Sequence, residues 1–117
     1  MKNILVVEDE KHLQILYEQE LAAEGYNVFT AKNGNEALEK ARQNPIDLAI
    51  LDIKLENENG LDVLRNMMEE QRGLKVILNT AYPNFRHDFK SWSAEDYIVK
   101  SSNLDELMAK VRELAPL

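Results

Sequence analysis

Cysteine is absent from this sequence, which removes disulfides from the means of stabilising it. No apolar stretch reaches the length of a membrane span, and the N-terminus lacks the basic-then-apolar pattern of a secretory signal. Basic residues are in deficit: 14 lysines and arginines against 21 acidic residues give a net charge of -7, with no basic cluster to neutralise a nucleic-acid backbone. Internal repeats, linkers and low-complexity segments are missing as well. These absences argue against secretion, membrane partners and direct nucleic-acid binding, and leave a cytoplasmic protein as the expectation. What is present fits a folding unit. Of 117 residues, 44% are hydrophobic and 30% charged, enough for one domain over 1–117 with a real core.

Short aliphatic runs alternate with helical periodicity. Ile4 to Val7, Val28 to Thr30, Leu48 to Leu51, Val76 to Leu78 and Tyr97 to Val99 each read as a buried strand. Between them, Leu13, Leu16, Tyr17 and Leu21 recur at helical spacing, as do Ala37, Leu38 and Ala41, then Leu61, Leu64 and Met68, and finally Leu104, Leu107, Met108 and Val111. The pairs Asn33-Gly34 and Asn59-Gly60 precede helices, Asn44-Pro45 stops one, and Asn103 with Glu106 reads as a capping box. Strand and helix alternating in this way predict an α/β fold, with helices on both faces of a five-stranded parallel sheet.

In such sheets, ligands lie beyond the carboxyl ends of the strands. Glu8, Asp9 and Glu10 follow the first strand, Asp52 the third, Thr80 the fourth and Lys100 the fifth. Glu10 reads as a helix cap or solvated loop residue. Individually the others are ordinary too; together they bring carboxylates, a hydroxyl and an ammonium to one sheet edge. Clustered carboxylates repel unless a cation sits among them, and Mg2+ suits one or two carboxylates plus phosphate oxygens. Asp9 and Asp52 are the expected ligands, with Glu8 acting through a bound water. Lys100 and the Thr80 hydroxyl opposite would cradle a phosphoryl group, and Asp52 becomes a candidate nucleophile.

The stretches "VVEDE" at 6–10, "LDIKLENENG" at 51–60, "LNTAY" at 78–82 and "DYIVKS" at 96–101 together resemble the response-regulator receiver domain, the CheY-like family of two-component signalling. The resemblance covers the whole chain. It implies a doubly wound, flavodoxin-like sheet of order 2-1-3-4-5. It further implies that Asp52 is the phosphoacceptor, taking a phosphoryl group from a histidine kinase or phosphotransfer protein, and that Glu8, Asp9, Asp52 and the backbone carbonyl of Lys54 bind Mg2+. Thr80 and Lys100 would hold the phosphoryl group, Thr80 and Tyr97 would form the switch toward a downstream protein target, and Lys54 and Tyr82 would flank the path of hydrolytic water. Such a protein is a signalling phosphoacceptor that dephosphorylates itself slowly, not a turnover enzyme. With the chain stopping at Leu117, a single receiver domain without an output domain is the expectation.

Departures from the family pattern are local. Ser101 follows Lys100 where the family usually has proline, commonly through a cis bond, and Glu56 replaces a proline four residues after the acceptor, predicting a flexible acidic loop. The interval from Thr80 to Lys100 is short for the family, so an abbreviated fourth helix is expected, opened by Pro83 and held by Phe85, Phe89 and Trp92. His12 and His87 read as exposed helical residues without a metal partner. A Mg2+-dependent phosphatase of the haloacid dehalogenase type competes, but it needs a second aspartate where Lys54 stands. A flavodoxin-like binding module would need glycines and hydroxyls in the acidic first loop. A degenerate receiver acting only as a binding module is the remaining alternative.

Overall fold

The computed structural model describes residues 1–83 and 94–117. The elements run β1 (Asn3–Val7), α1 (Lys11–Ala23), β2 (Asn27–Ala31), α2 (Gly34–Gln43), β3 (Leu48–Leu51), β4 (Lys54–Leu55), β5 (Glu58–Asn59), α3 (Gly60–Glu70), β6 (Lys75–Thr80), β7 (Asp96–Val99) and α4 (Asp105–Leu114). The expected short helix with Phe85, His87, Phe89 and Trp92 lies outside the described residues.

Five strands pair in parallel in the order β2-β1-β3-β6-β7. This is the 2-1-3-4-5 sheet expected from the sequence. Alternation along each strand divides the core in two. Leu5, Val7, Ala49, Leu51, Val76 and Leu78 pack toward Ala37 and Ala41 of α2 and Val63, Leu64 and Met67 of α3. Ile4, Val6, Leu48, Ile50, Ile77 and Ile98 pack against Tyr17 and Leu21 of α1 and Leu107, Met108 and Val111 of α4. Every residue of β3 is buried, as expected of a central strand covered on both faces. Removing one such aliphatic side chain from water contributes roughly 1.5–3 kcal/mol, so the inner strands are rigid supports for what stands at their ends.

Helix punctuation follows the sequence at α2. The Asn33 side chain caps the Glu36 N–H at 2.9 Å, and Glu36 returns its carboxylate to the Lys32 N–H at 2.9 Å. Asn33→Ala removes that cap and is expected to cost about 1 kcal/mol, measurable as a lowered urea midpoint with an unchanged slope.

Three expectations need correction. The acidic stretch after Asp52 is no loose loop: β4 and β5 form a two-residue antiparallel hairpin. Its turn places Asn57 at φ 63°, a left-handed conformation that asparagine tolerates better than most residues. Leu55 anchors the hairpin in the core, and Glu58 accepts the Gly34 N–H at 2.5 Å. The second correction is at α4, where Leu104 is the N-cap and no side chain caps the helix; Asn103 instead accepts the Asp105 N–H at 2.8 Å, so Glu106 forms no capping box with it. On α1, Leu16 is 38% exposed whereas Gln14 is buried. The buried face is Gln14, Tyr17 and Leu21, and Gln14 tolerates burial because its amide donates to the Glu8 carbonyl at 2.5 Å.

Candidate functional site

The sheet brings the predicted polar residues together at its carboxyl edge. β1 ends at Val7 and delivers Glu8 and Asp9, β3 ends at Leu51 and delivers Asp52, β6 ends on Thr80, and β7 leads into Lys100. The loop ends are tied to this edge through backbone bonds: Glu8 N–H to the Ala31 carbonyl, Asp52 N–H to the Val7 carbonyl and Lys100 N–H to the Thr80 carbonyl at 2.7 Å. Each side chain therefore starts from a fixed point.

At the centre, the Lys100 ammonium bridges two carboxylates, 2.6 Å from Glu8 Oε1 and 2.7 Å from Asp52 Oδ2. Glu8 is 2% exposed and Asp52 6%. Asp52 Oδ1 accepts the Lys54 N–H at 3.1 Å. A carboxylate has about four lone-pair sites, and these two bonds leave capacity for a further ligand or reactant. Asp9, half-buried beside them, accepts the Glu56 N–H at 2.7 Å, so the hairpin that the sequence concealed helps position the acid pair. Carboxylate oxygens of Glu8, Asp9 and Asp52 lie within 4.8 Å of one another, a hard-oxygen set fitted to a small divalent cation.

The charges perturb one another. Burial pushes the Glu8 carboxyl above its ordinary range, an effect that the Lys100 hydrogen bond and charge only partly offset. Burial alone would push the Lys100 ammonium down, but its hydrogen bonds to Asp52 and Glu8 reverse this and hold it well above the ordinary lysine range. Lys100 is thus a fixed cation at any physiological pH.

The remaining predicted residues differ in burial. Thr80 is fully buried, and its Oγ1 lies 3.4 Å from the Tyr82 N–H. Tyr97 is buried in the α2–α3 side of the core, and its hydroxyl donates to the Tyr82 carbonyl. Tyr82 is 41% exposed, with the Lys54 ammonium 5.2 Å from its ring centroid. His12 is an exposed helical residue near Glu10, as read. Glu10 is the N-cap of α1 but makes no side-chain cap bond. The Lys100–Ser101 bond is trans, so the serine has replaced the usual proline without retaining a cis bond. Sequence reasoning missed the buried polar residues Gln14 and Asn79, and it read Tyr17 only as part of the apolar spacing of the first helix. A glutamine and a tyrosine at i and i+3 of the first helix, and an asparagine inside a strand, were the available signals.

Residues 4–112 match the response regulator receiver domain. The chain belongs to this family. The receiver is 36% identical over 115 residues to the response regulator ArlR of Staphylococcus aureus, covering 97% of this chain and 52% of ArlR. It thus spans about half the length of the curated relatives it matches. Among solved structures, TrrA from Thermotoga maritima in complex with Mg(2+)-BeF is 46% identical with a TM-score of 0.90, covering 97% of this chain and 99% of that one. TrrA in complex with the histidine kinase ThkA gives 46% identity and a TM-score of 0.89, covering 98% of this chain and 99% of that one. A receiver is a signalling phosphoacceptor rather than a turnover enzyme, and the phosphatase reading falls with that assignment. No helix among the described residues is long and apolar enough to cross a membrane.

Proposed function

We propose that this receiver accepts a phosphoryl group on Asp52 from a histidine kinase or phosphotransfer protein, with Mg2+ as cofactor, and passes the change to a downstream protein. The single observation that carries the reading is the Lys100 bridge to Asp52 and Glu8 beside the three-carboxylate cluster. Support comes from TrrA, seen with Mg(2+)-BeF and with ThkA. A cytoplasmic setting belongs to the same proposal.

In this reading an Asp52 oxygen attacks phosphorus, a P–O bond forms and the bond to the donor's leaving group breaks. Glu8, Asp9, Asp52 and the Lys54 carbonyl would hold Mg2+, which supplies neutralisation of the phosphoryl oxygens. Lys100 is already a cation at the acceptor, so its charge need not be recruited during the reaction. The Thr80 hydroxyl would turn from the Tyr82 N–H to a phosphoryl oxygen. Because Tyr97 is bonded to the carbonyl of Tyr82, two residues beyond Thr80, movement of that segment is transmitted to Tyr97.

Incubation with phosphoramidate and Mg2+, followed by intact-mass measurement, tests the reading. Gain of one phosphoryl group, prevented by chelation, is expected; an unmodified mass would favour a degenerate receiver.

Tyr82 and Lys54 set the survival of the acyl phosphate in this proposal. The Lys54 ammonium lies 5.2 Å from the Tyr82 ring centroid, so in this reading the two side chains would together cover the approach of water. An exposed cation–π contact contributes about 0.5–1 kcal/mol, equivalent to about two- to five-fold in rate. Tyr82→Ala is therefore expected to shorten the phosphorylated lifetime by about that factor, as followed by decay of the phosphorylated mass. An equal or longer lifetime would reject the shielding role.

A further inference from the structure

The hairpin after Asp52 carries more of the acid site than its length suggests. Strands of two residues have almost no stability of their own, so β4 and β5 stand only where something outside them holds them. Leu55 and Glu58 pair across the hairpin, and Glu56 and Asn57 make the turn between them. The N–H groups of Lys54 and Glu56, two residues apart along the chain, both go to the site: Lys54 donates to Asp52 Oδ1 at 3.1 Å and Glu56 to Asp9 Oδ2 at 2.7 Å. The Lys54 carbonyl, the backbone ligand proposed above, belongs to the same segment. Where the hairpin sits therefore decides where two of the three clustered carboxylates sit.

Leu55, buried in the core, seats one strand. Glu58 secures the other. Its carboxylate accepts the N–H of Gly34, the first residue of α2, at 2.5 Å. That N–H belongs to the helix start, where donors have no partner inside the helix and the positive end of the dipole favours a carboxylate. The Asn33 side chain caps the Glu36 N–H and so leaves the Gly34 donor to Glu58. Glycine permits the close approach, because a Cβ at Gly34 would stand 2.9 Å from Glu58 Oε2. The helix reached in this way is itself fixed, packed on the sheet through Ala37 and Ala41.

We infer that Glu58 is a positioning residue for the metal-binding acids: it pins the hairpin to the start of α2, and the pinned hairpin holds Asp9 and Asp52 through the Glu56 and Lys54 N–H groups. This deepens the proposed phosphoacceptor role and rests on it. Glu58 stands outside the cluster of Glu8, Asp9 and Asp52 and acts on it through backbone donors.

Glu58→Ala and Glu58→Gln separate this role from simple charge, because both remove the same negative charge while the glutamine amide keeps an oxygen that accepts the Gly34 N–H. Glu58 is partly exposed, so the sheet and its two cores should stay folded in both. In the metal-free protein, hydrogen exchange at the Lys54 and Glu56 amides should quicken about tenfold in Glu58→Ala and stay within about twofold of wild type in Glu58→Gln. The Mg2+ dissociation constant, measured by titration calorimetry, should rise about fivefold in Glu58→Ala; losing a group that orients a ligand directly costs about 10–100-fold, and Glu58 acts one bond further out. Glu58→Gln should bind Mg2+ within about twofold of the wild type. Equal weakening in both variants would assign the effect to charge and overturn the inference, as would an unchanged affinity in Glu58→Ala. If the wild type binds no Mg2+ and takes no phosphoryl group, the acceptor assignment fails, and amide exchange alone decides: faster exchange in Glu58→Ala but not in Glu58→Gln sustains the positioning role, and any other pattern overturns it.

Discussion

Asp52→Asn is expected to abolish phosphoryl labelling while leaving the protein folded. Asparagine has nearly the volume of aspartate, so the end of β3 should keep its packing, and Lys100 retains Glu8 as a charged partner at 2.6 Å. The amide cannot attack phosphorus as a carboxylate does, and among the described residues no other carboxylate combines the same burial with the Lys100 contact and the Lys54 N–H. Intact mass should go from fully shifted to unshifted. Residual labelling of the variant at the wild-type rate would move the acceptor elsewhere.

The same substitution carries a thermodynamic signature. Glu8, Asp9 and Asp52 repel one another, with Lys100 the one ammonium among them in the described residues, so a divalent cation should stabilise the wild type. At Mg2+ ten times its dissociation constant, linkage amounts to about 1.4 kcal/mol, seen as a rise in thermal midpoint. Asp52→Asn removes one carboxylate, so that rise should shrink, while the metal-free midpoint stays level or climbs as repulsion falls. Acidification should act similarly on the wild type. Burial has raised the Glu8 pKa, so its charged form is disfavoured by folding at neutral pH and is lost early as pH drops. Protonation relieves that folding cost and withdraws a metal-binding charge, so Mg2+ stabilisation should decline before an ordinary carboxylate would titrate.

How far the sequence carries depends on which forces speak locally. The five strands were legible because runs such as Leu48 to Leu51 are buried on both faces, and the site because parallel topology sends every strand's carboxyl end to one edge. The hairpin over Lys54 to Asn59 was not, because its strands are two residues long and polar; it exists through Leu55 burial and the reach of Glu58 to Gly34. The facing of α1 was misread since hydrophobicity favours Leu16 over Gln14, whereas the Glu8 carbonyl needs a donor that only the amide supplies. At Asn103 the spacing to Glu106 suggested a box, but the nearer Asp105 N–H took the acceptor. In each case a tertiary or very local hydrogen bond outweighed a pattern.

Gly60→Ala is expected to be the most damaging of the glycine-to-alanine changes in this protein. A Cβ at Gly60 would stand 2.0 Å from the Asp52 carbonyl oxygen, 2.7 Å from Ile53 Cα and 2.8 Å from the Ile53 carbonyl oxygen. All three are backbone atoms, so no side chain can rotate away. The Gly60 N–H also donates to the Ile53 carbonyl at 2.5 Å, locking the start of α3 against the strand end that carries the acceptor. Relief requires moving either α3, with Val63, Leu64 and Met67 in the core, or the backbone of Asp52 itself. Overpacking of a rigid site costs about 1–3 kcal/mol and can exceed that; with backbone on every side we expect about 3 kcal/mol or more, measured by urea unfolding. Gly73→Ala is the matched comparison, because a Cβ there meets nothing within 4 Å and should change stability little. Gly34→Ala should fall between them, since its close contacts are the Glu58 and Val63 side chains at 2.9 Å, which can shift. The folded fraction of Gly60→Ala should also phosphorylate more slowly, because displacement of the Asp52 carbonyl disturbs the carboxylate geometry at the Lys100 bridge. A Gly60→Ala protein as stable as Gly73→Ala would mean that the β3–α3 junction yields far more easily than its all-backbone contacts allow.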